Sequence, residues 1–195
     1  MRPSTHLASF VVAFGLVACS STSSPSSTAD AGTTPTPDQV AVSATLACND
    51  GPTARKPVTV GASKLERCLY RPSLPRLDIQ VDDGLGGDFV MAQIASFSGV
   101  GKFTTSKGMT DEDTFVEMRA ASTDVSSEPT DKCPVHVCTL EVTEAGVVTA
   151  GKGGTGTLAI DVDCPKLGGA ATECLECTVS PVAFHLEIAA CARDD

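Results

Sequence analysis

The chain has 195 residues, no Trp, one Tyr and a formal charge of −10 at pH 7. That acidity argues against binding free nucleic acid, whose phosphates need basic neutralisation, and against adsorption to anionic lipid by charge alone. With so few aromatic residues, the core must lean on Val, Leu, Ile and Ala, helped by Tyr70, Phe89, Phe97, Phe103, Phe115 and Phe184.

Residues 1–18 read as a secretory signal peptide. Arg2 is followed by an apolar run from Leu7 to Ala18 and by small residues before a cut. The run is about a dozen residues, against the roughly 20 needed to span a bilayer, so a permanent transmembrane helix is not expected. The ending Leu16-Val17-Ala18-Cys19 resembles the signal of bacterial lipoproteins. The resemblance implies that Cys19 is lipidated (diacylglyceryl on sulfur, a palmitate-type acyl chain on the amine) and begins the mature chain. Several acyl chains anchor stably where one is marginal. Ser20 follows Cys19 where an Asp would mark inner-membrane retention in Gram-negative lipoproteins, so the resemblance implies the outer membrane.

Residues 19–39 comprise that cysteine and a stretch built almost entirely of Ser, Thr, Pro, Ala, Gly and Asp. It has no large apolar side chain with which to offset its ordering entropy and reads as a disordered tether, spanning about 5–6 Å × √n as a random coil. Residues 40–195 have the length of one domain.

Short β-prone runs follow. Val40 to Ala47 alternates, as does Leu77 to Asp82, the mark of a strand with one wet face. Gly61 to Leu69, with Leu65 and Leu69 four apart, is the best candidate for a helical turn. Asp82-Asp83-Gly84-Leu85-Gly86-Gly87 reads as a hairpin loop, and Asp88 to Phe97 as one long strand. Strands are also expected around Phe103, at Phe115 to Met118, and over Val135 to Thr143, Gly146 to Ala150, Thr155 to Asp163 and Val182 to Ala189. The last carries His185 on its polar face. Eight to ten strands with Gly-rich joints predict an all-β fold, an antiparallel β-sandwich or barrel.

Setting Cys19 aside leaves eight of the nine cysteines: Cys48, Cys68, Cys133, Cys138, Cys164, Cys174, Cys177 and Cys191. An even number in an exported chain reads as about four disulfides. Proximity favours Cys48–Cys68 and Cys133–Cys138, with the remaining four stapling the C-terminal third. Cys174-Leu175-Glu176-Cys177 is a CxxC, the form of a redox dithiol or of half a zinc site, and His136 lies between two other cysteines. Structural disulfides are the simpler reading, so no metal or other cofactor is called for. The leader, the linker and a cysteine-bearing β domain together also resemble uncharacterised small lipoproteins of myxobacteria. The shared features are Asp82-Asp83-Gly84, the segment Phe97 to Phe103 and the strand at Gly156-Thr157-Leu158. That resemblance brings no active residues with it.

Catalytic signals are sparse. A Gly-x-Ser-x-Gly elbow is missing. Beyond His6 in the leader, the only imidazoles are His136 and His185. Gly151-Lys152-Gly153-Gly154-Thr155 lacks the order of a phosphate-binding loop and has no helix pattern after it. The acidic groups Asp82, Asp83 and Asp88, and Asp111, Glu112 and Asp113, have the composition of calcium loops without EF-hand spacing; a solvated hairpin tip explains both. The expectation is a non-catalytic binding or structural module of the cell envelope, held on the outer membrane by lipid, with a protein or glycan partner. The alternatives are an envelope hydrolase built on His136 or His185, or a metal-binding or redox accessory protein using the CxxC.

Overall fold

A computed structural model describes residues 40–106, 108–120, 123–127, 133–169 and 174–195. The leader, Cys19 and the tether lie outside these residues. Fourteen strands are present among them.

The first half is a run of antiparallel neighbours. β1 (Val42–Asp50) pairs with the short β2 (Thr53–Ala54) and with β3 (Val58–Ala62). β4 (Lys64–Arg71), β5 (Arg76–Asp82) and β6 (Phe89–Ile94) form a meander, and β8 (Phe115–Ala120) and β9 (Thr123–Ser126) continue from β6. β7 (Gly101–Thr104) leaves this group to pair with β10 (Thr139–Ala145). β11 (Thr155–Asp163) and β14 (Ala183–Arg193) extend that second group, while β12 (Lys166–Gly169) and β13 (Leu175–Ser180) return to β1. The order is β2-β1-β13-β12-β9-β8-β6-β5-β4-β14-β11-β10-β7. Every pairing is antiparallel except β4 with β14. The predicted all-β fold is thus present as a strongly curled sheet.

Alternation explains the core. In β1, Val42, Ala44, Leu46 and Cys48 point inward; in β13, Leu175, Cys177 and Val179 do so. With Ile79, Val90, Ile94, Met118, Leu140, Ile160, Leu186 and Ile188 they join a single buried apolar cluster. The hydrophobic effect, about 25 cal/mol per Å² buried, is what curls the sheet onto its own inner face. Asp78 is a buried acid on the other face of β5: its carboxylate sits 2.7 Å from Arg71 Nη1 and 3.2 Å from Arg76 Nε.

Four expectations about elements need correcting. The strand expected over Val135 to Thr143 begins at Thr139; Val135 to Cys138 is irregular. Gly61 to Leu69 is extended, not helical: β3 ends at Ala62 and β4 begins at Lys64. A bulge between Leu65 and Arg67 shifts the alternation, so Leu65, opposite Val81, faces the core while Leu69, opposite Asp78, faces outward; their spacing of four marks no shared face here. The strand at Asp88 to Phe97 ends at Ile94; Ser96 takes a left-handed φ of 53° and Phe97 N–H donates to Pro75 O. That turn drives Phe97 into the core, edge-on to Tyr70 at 5.4 Å. Gly146 to Ala150 holds a 3₁₀ turn (Gly146–Val148), not a strand, and it buries Val147. The strands β3, β9, β12 and most of β13 were not anticipated; they are short or broken by polar residues and Gly.

The predicted set of disulfides is present, with other partners. Cys48 joins Cys177, Cys68 joins Cys191, Cys133 joins Cys174 and Cys138 joins Cys164. Pairing by proximity fails because β1 lies beside β13 and β4 beside β14. Cysteines 129 and 123 residues apart are therefore neighbours.

Candidate functional site

The outer face of β6, β8, β9, β12 and β13 carries one continuous row. Register places Met91 opposite Glu117, Glu117 opposite Ser126, Ser126 opposite Gly168, and Gly168 opposite Glu176. Gly168 contributes no side chain, so the row dips there into a trough. One end holds a cavity of about 150 Å³ lined by Met109, Glu117, Asp124, Ser126, Gly168 and Gly169. Gly169 permits the close approach of strands here: a Cβ would lie 2.7 Å from Asp124 O. Pockets for drug-sized ligands run to about 300–1,000 Å³. This one has room for a single side chain or a few waters.

Glu117 gives the cavity its chemistry. Its pKa is raised, first by burial and then by the nearby Asp124 carboxylate, with Arg119 opposing. Arg119 is committed to Asp124, its Nη2 donating at 2.9 Å to Oδ2, and its guanidinium covers the Phe89 ring at 4.6 Å.

At the other end of the trough Glu176 accepts from Lys166 Nζ at 2.8 Å. His136 Nε2 lies 4.0 Å from the second Glu176 oxygen. His136 is buried, and burial lowers its pKa despite that carboxylate. Its segment is fixed by backbone bonds: His136 N–H donates to Ser127 O (2.8 Å), and Thr105 Oγ1 donates to His136 O (3.3 Å).

The sequence candidates are dispersed. His185 is on the outer face of β14, its Nδ1 2.7 Å from Asp161 Oδ1 and its Nε2 3.3 Å from Glu187 Oε1. The Asp161 hydrogen bond raises its pKa most. With a carboxylate on each side of the ring, both nitrogens are committed. Neither His136 nor His185 is brought to a hydroxyl or thiol nucleophile in these contacts.

Cys174 and Cys177 do not form a dithiol or a metal half-site. β13 is extended, so Cys177 points inward to Cys48 while Cys174, outside the core, reaches Cys133. Successive strand residues alternate faces, and positions three apart fall on opposite sides. Among the described residues no group of three or more His, Cys, Asp or Glu is placed to hold a metal ion.

The acidic loops serve as turns. Asp83 accepts from the N–H groups of Leu85, Gly86, Gly87 and Asp88, and these bonds, Leu85 first, lower its pKa. Asp113 does the same for the Thr110 hydroxyl and amide. Asp111 pairs with Arg76. Lys152 lies in the exposed loop after the 3₁₀ turn, and the strand β11 follows rather than a helix.

The trough itself had no signal in the sequence. Glu117 lies in an apolar run as an ordinary outward strand residue, and Gly168-Gly169 reads as a joint.

Comparison with protein-family models, with curated proteins and with solved structures finds no match. Among the described residues no helix is long and apolar enough to cross a membrane.

Proposed function

We propose that the chain is an outer-membrane lipoprotein, anchored through Cys19, whose β domain is a non-catalytic binding or structural module of the cell envelope. The observation that carries this reading is the disulfide set. Four bonds cross-link strands and loops far apart in the chain, a device of proteins that work in oxidising, extracytoplasmic compartments. The leader ending in Leu16-Val17-Ala18-Cys19 supports the same address.

A protein partner fits better than a glycan. Sugar recognition uses open aromatic faces, but Tyr70, Phe97 and Phe115 are buried and Phe89, Phe103 and Phe184 are half-buried. The trough, with its side-chain-sized cavity and half-buried Glu117, is the contact surface to test first.

The test uses the full chain expressed in Gram-negative cells beside Cys19→Ser, with an alkyne fatty acid supplied. The expected result is label and outer-membrane fractionation for the parent, and neither for the variant. Equal fractionation without label would overturn the anchor. A photoreactive residue at Asp124, compared with one at Lys152 outside the trough, tests the module: a discrete protein adduct is expected at Asp124 alone. Equal adducts at both sites, or none, would remove the trough as a contact surface.

A further inference from the structure

Three of the four disulfides lie in the core. Cys48, Cys177, Cys68, Cys191, Cys138 and Cys164 are all buried. These bonds also join positions that the sheet already holds together. Cys48 is directly opposite Cys177 in the β1–β13 ladder. Cys68 and Cys191 lie on the paired strands β4 and β14. Cys138 and Cys164 flank the paired residues Thr139 and Asp163.

Cys133–Cys174 differs in both respects. Both residues are half-exposed. Neither lies in a strand: Cys133 is in the irregular segment before β10, and Cys174 immediately precedes β13. Access of a thiolate to sulfur controls exchange, so this is the bond an external thiol can reach. Cys177, the nearest other half-cystine in sequence, is shielded because its sulfur lies beneath the sheet, bonded to Cys48.

The fold does not depend on this clasp. His136 N–H donates to Ser127 O, Cys138 N–H donates to Thr105 Oγ1 (2.9 Å), and Cys138 is itself tied to Cys164. Opening the bond therefore frees Cys133 to Val135 and stops at His136. What it changes is the chain on both sides of the end of the trough. Glu176 is two residues from Cys174, and His136 is three from Cys133 with its ring 4.0 Å from Glu176.

We propose that Cys133–Cys174 is a redox-operated clasp, opened by a dithiol reductant while the other three disulfides stay closed, and that its state sets solvent access to His136 and to the Glu176 end of the trough. The chemistry balances with a dithiol. One external thiolate attacks Cys133 or Cys174 to give a mixed disulfide, and the second external thiol displaces the protein sulfur. Two electrons and two protons pass to the clasp, leaving two protein thiols and an oxidised reductant. The burial that depresses the His136 pKa then provides a reporter, because exposure returns it toward about 6.5.

The test treats the oxidised full chain with graded dithiothreitol under native conditions, traps thiols by alkylation and maps them by peptide mass. His136 is titrated by NMR in parallel. Cys133 and Cys174 should label first, at a reductant concentration at least about tenfold below that for any other pair, since accessibility governs the rate. Far-UV circular dichroism should be unchanged and the His136 pKa should rise. Co-reduction of all four bonds, earlier labelling of a core pair, or an unmoved His136 pKa would overturn the proposal. Cys133→Ser/Cys174→Ser provides the open state without reductant. It should keep the parent's circular dichroism and show the raised His136 pKa; if it does not fold, the clasp is structural and the proposal fails.

Discussion

At the scale of single residues, the two histidines of the β domain are moved in opposite directions by ordinary causes. His136 is buried, so its charged form is disfavoured. His185 sits between Asp161 and Glu187, so its charged form is favoured. For His185 the folded pKa exceeds the unfolded one. Its stabilisation is complete below the unfolded value, about 6.5, and is lost as pH rises through the folded value. The side chain is 41% exposed, and screening keeps the effect to a few tenths of a kcal/mol. His185→Gln should therefore narrow the difference in melting temperature between pH 6 and pH 8.5, and Asp161→Asn should lower the His185 pKa measured by NMR. Asp78 carries more weight. It is buried between Arg71 and Arg76, and removing one member of a buried ion pair strands the others. Asp78→Ala should cost about 3 kcal/mol in urea unfolding. The alternation of Leu77 to Asp82 marks a strand, but nothing in it distinguishes Asp78 from a surface aspartate. The two arginines that hold it are Arg71, at the end of the neighbouring strand β4, and Arg76, which opens its own strand.

Among elements, glycine positions decide what close approach is possible. Gly156 opens β11 against the 3₁₀ turn, and a Cβ there would lie 2.4 Å from Val147 N and 2.5 Å from Gly146 C. Backbone atoms cannot yield as a side-chain tip can. Gly156→Ala should lose about 1–3 kcal/mol by overpacking, read as a fall in the denaturation midpoint at unchanged slope. The Asp83 turn is the contrasting case. Its carboxylate gathers four backbone N–H groups across the β5–β6 loop. Asp83→Ala should speed hydrogen exchange at Leu85, Gly86, Gly87 and Asp88 without moving the core amides. The hairpin was legible from Asp-Asp-Gly and its flanking strands, because Asp and Gly have known turn chemistry. The helical reading at Gly61 to Leu69 failed because a bulge between Leu65 and Arg67 breaks the strand's simple alternation, hiding the strand pattern. β12 was missed because Lys166-Leu-Gly-Gly offers only one apolar side chain to a pattern.

For the whole molecule, the long-range disulfides tie early strands of the β domain to its last ones. Cys68–Cys191 bridges β4 and β14, the one parallel pairing. Parallel strands need a long connection, here most of the domain, and a cross-link over 123 residues restricts the unfolded chain strongly. Cys68→Ala/Cys191→Ala should lose about 2–5 kcal/mol, measured by urea unfolding under non-reducing conditions. That loss should greatly exceed any from opening Cys133–Cys174, whose loop is 41 residues and whose neighbouring backbone is held independently.

Composition and local pattern alone determined the all-β class, most strand positions, the Asp83 turn and the presence of disulfides. Each depends on residues near one another in the chain: alternation, turn chemistry, an even number of cysteines. Only the tertiary structure decided which cysteines meet, that Cys177 points into the core while Cys174, just before β13, does not, and that Glu117, Ser126, Gly168 and Glu176 fall in one row. Those relations are set by strand order and register. Strand order follows from burying a shared apolar face, a property of the assembled sheet that no window of the sequence contains.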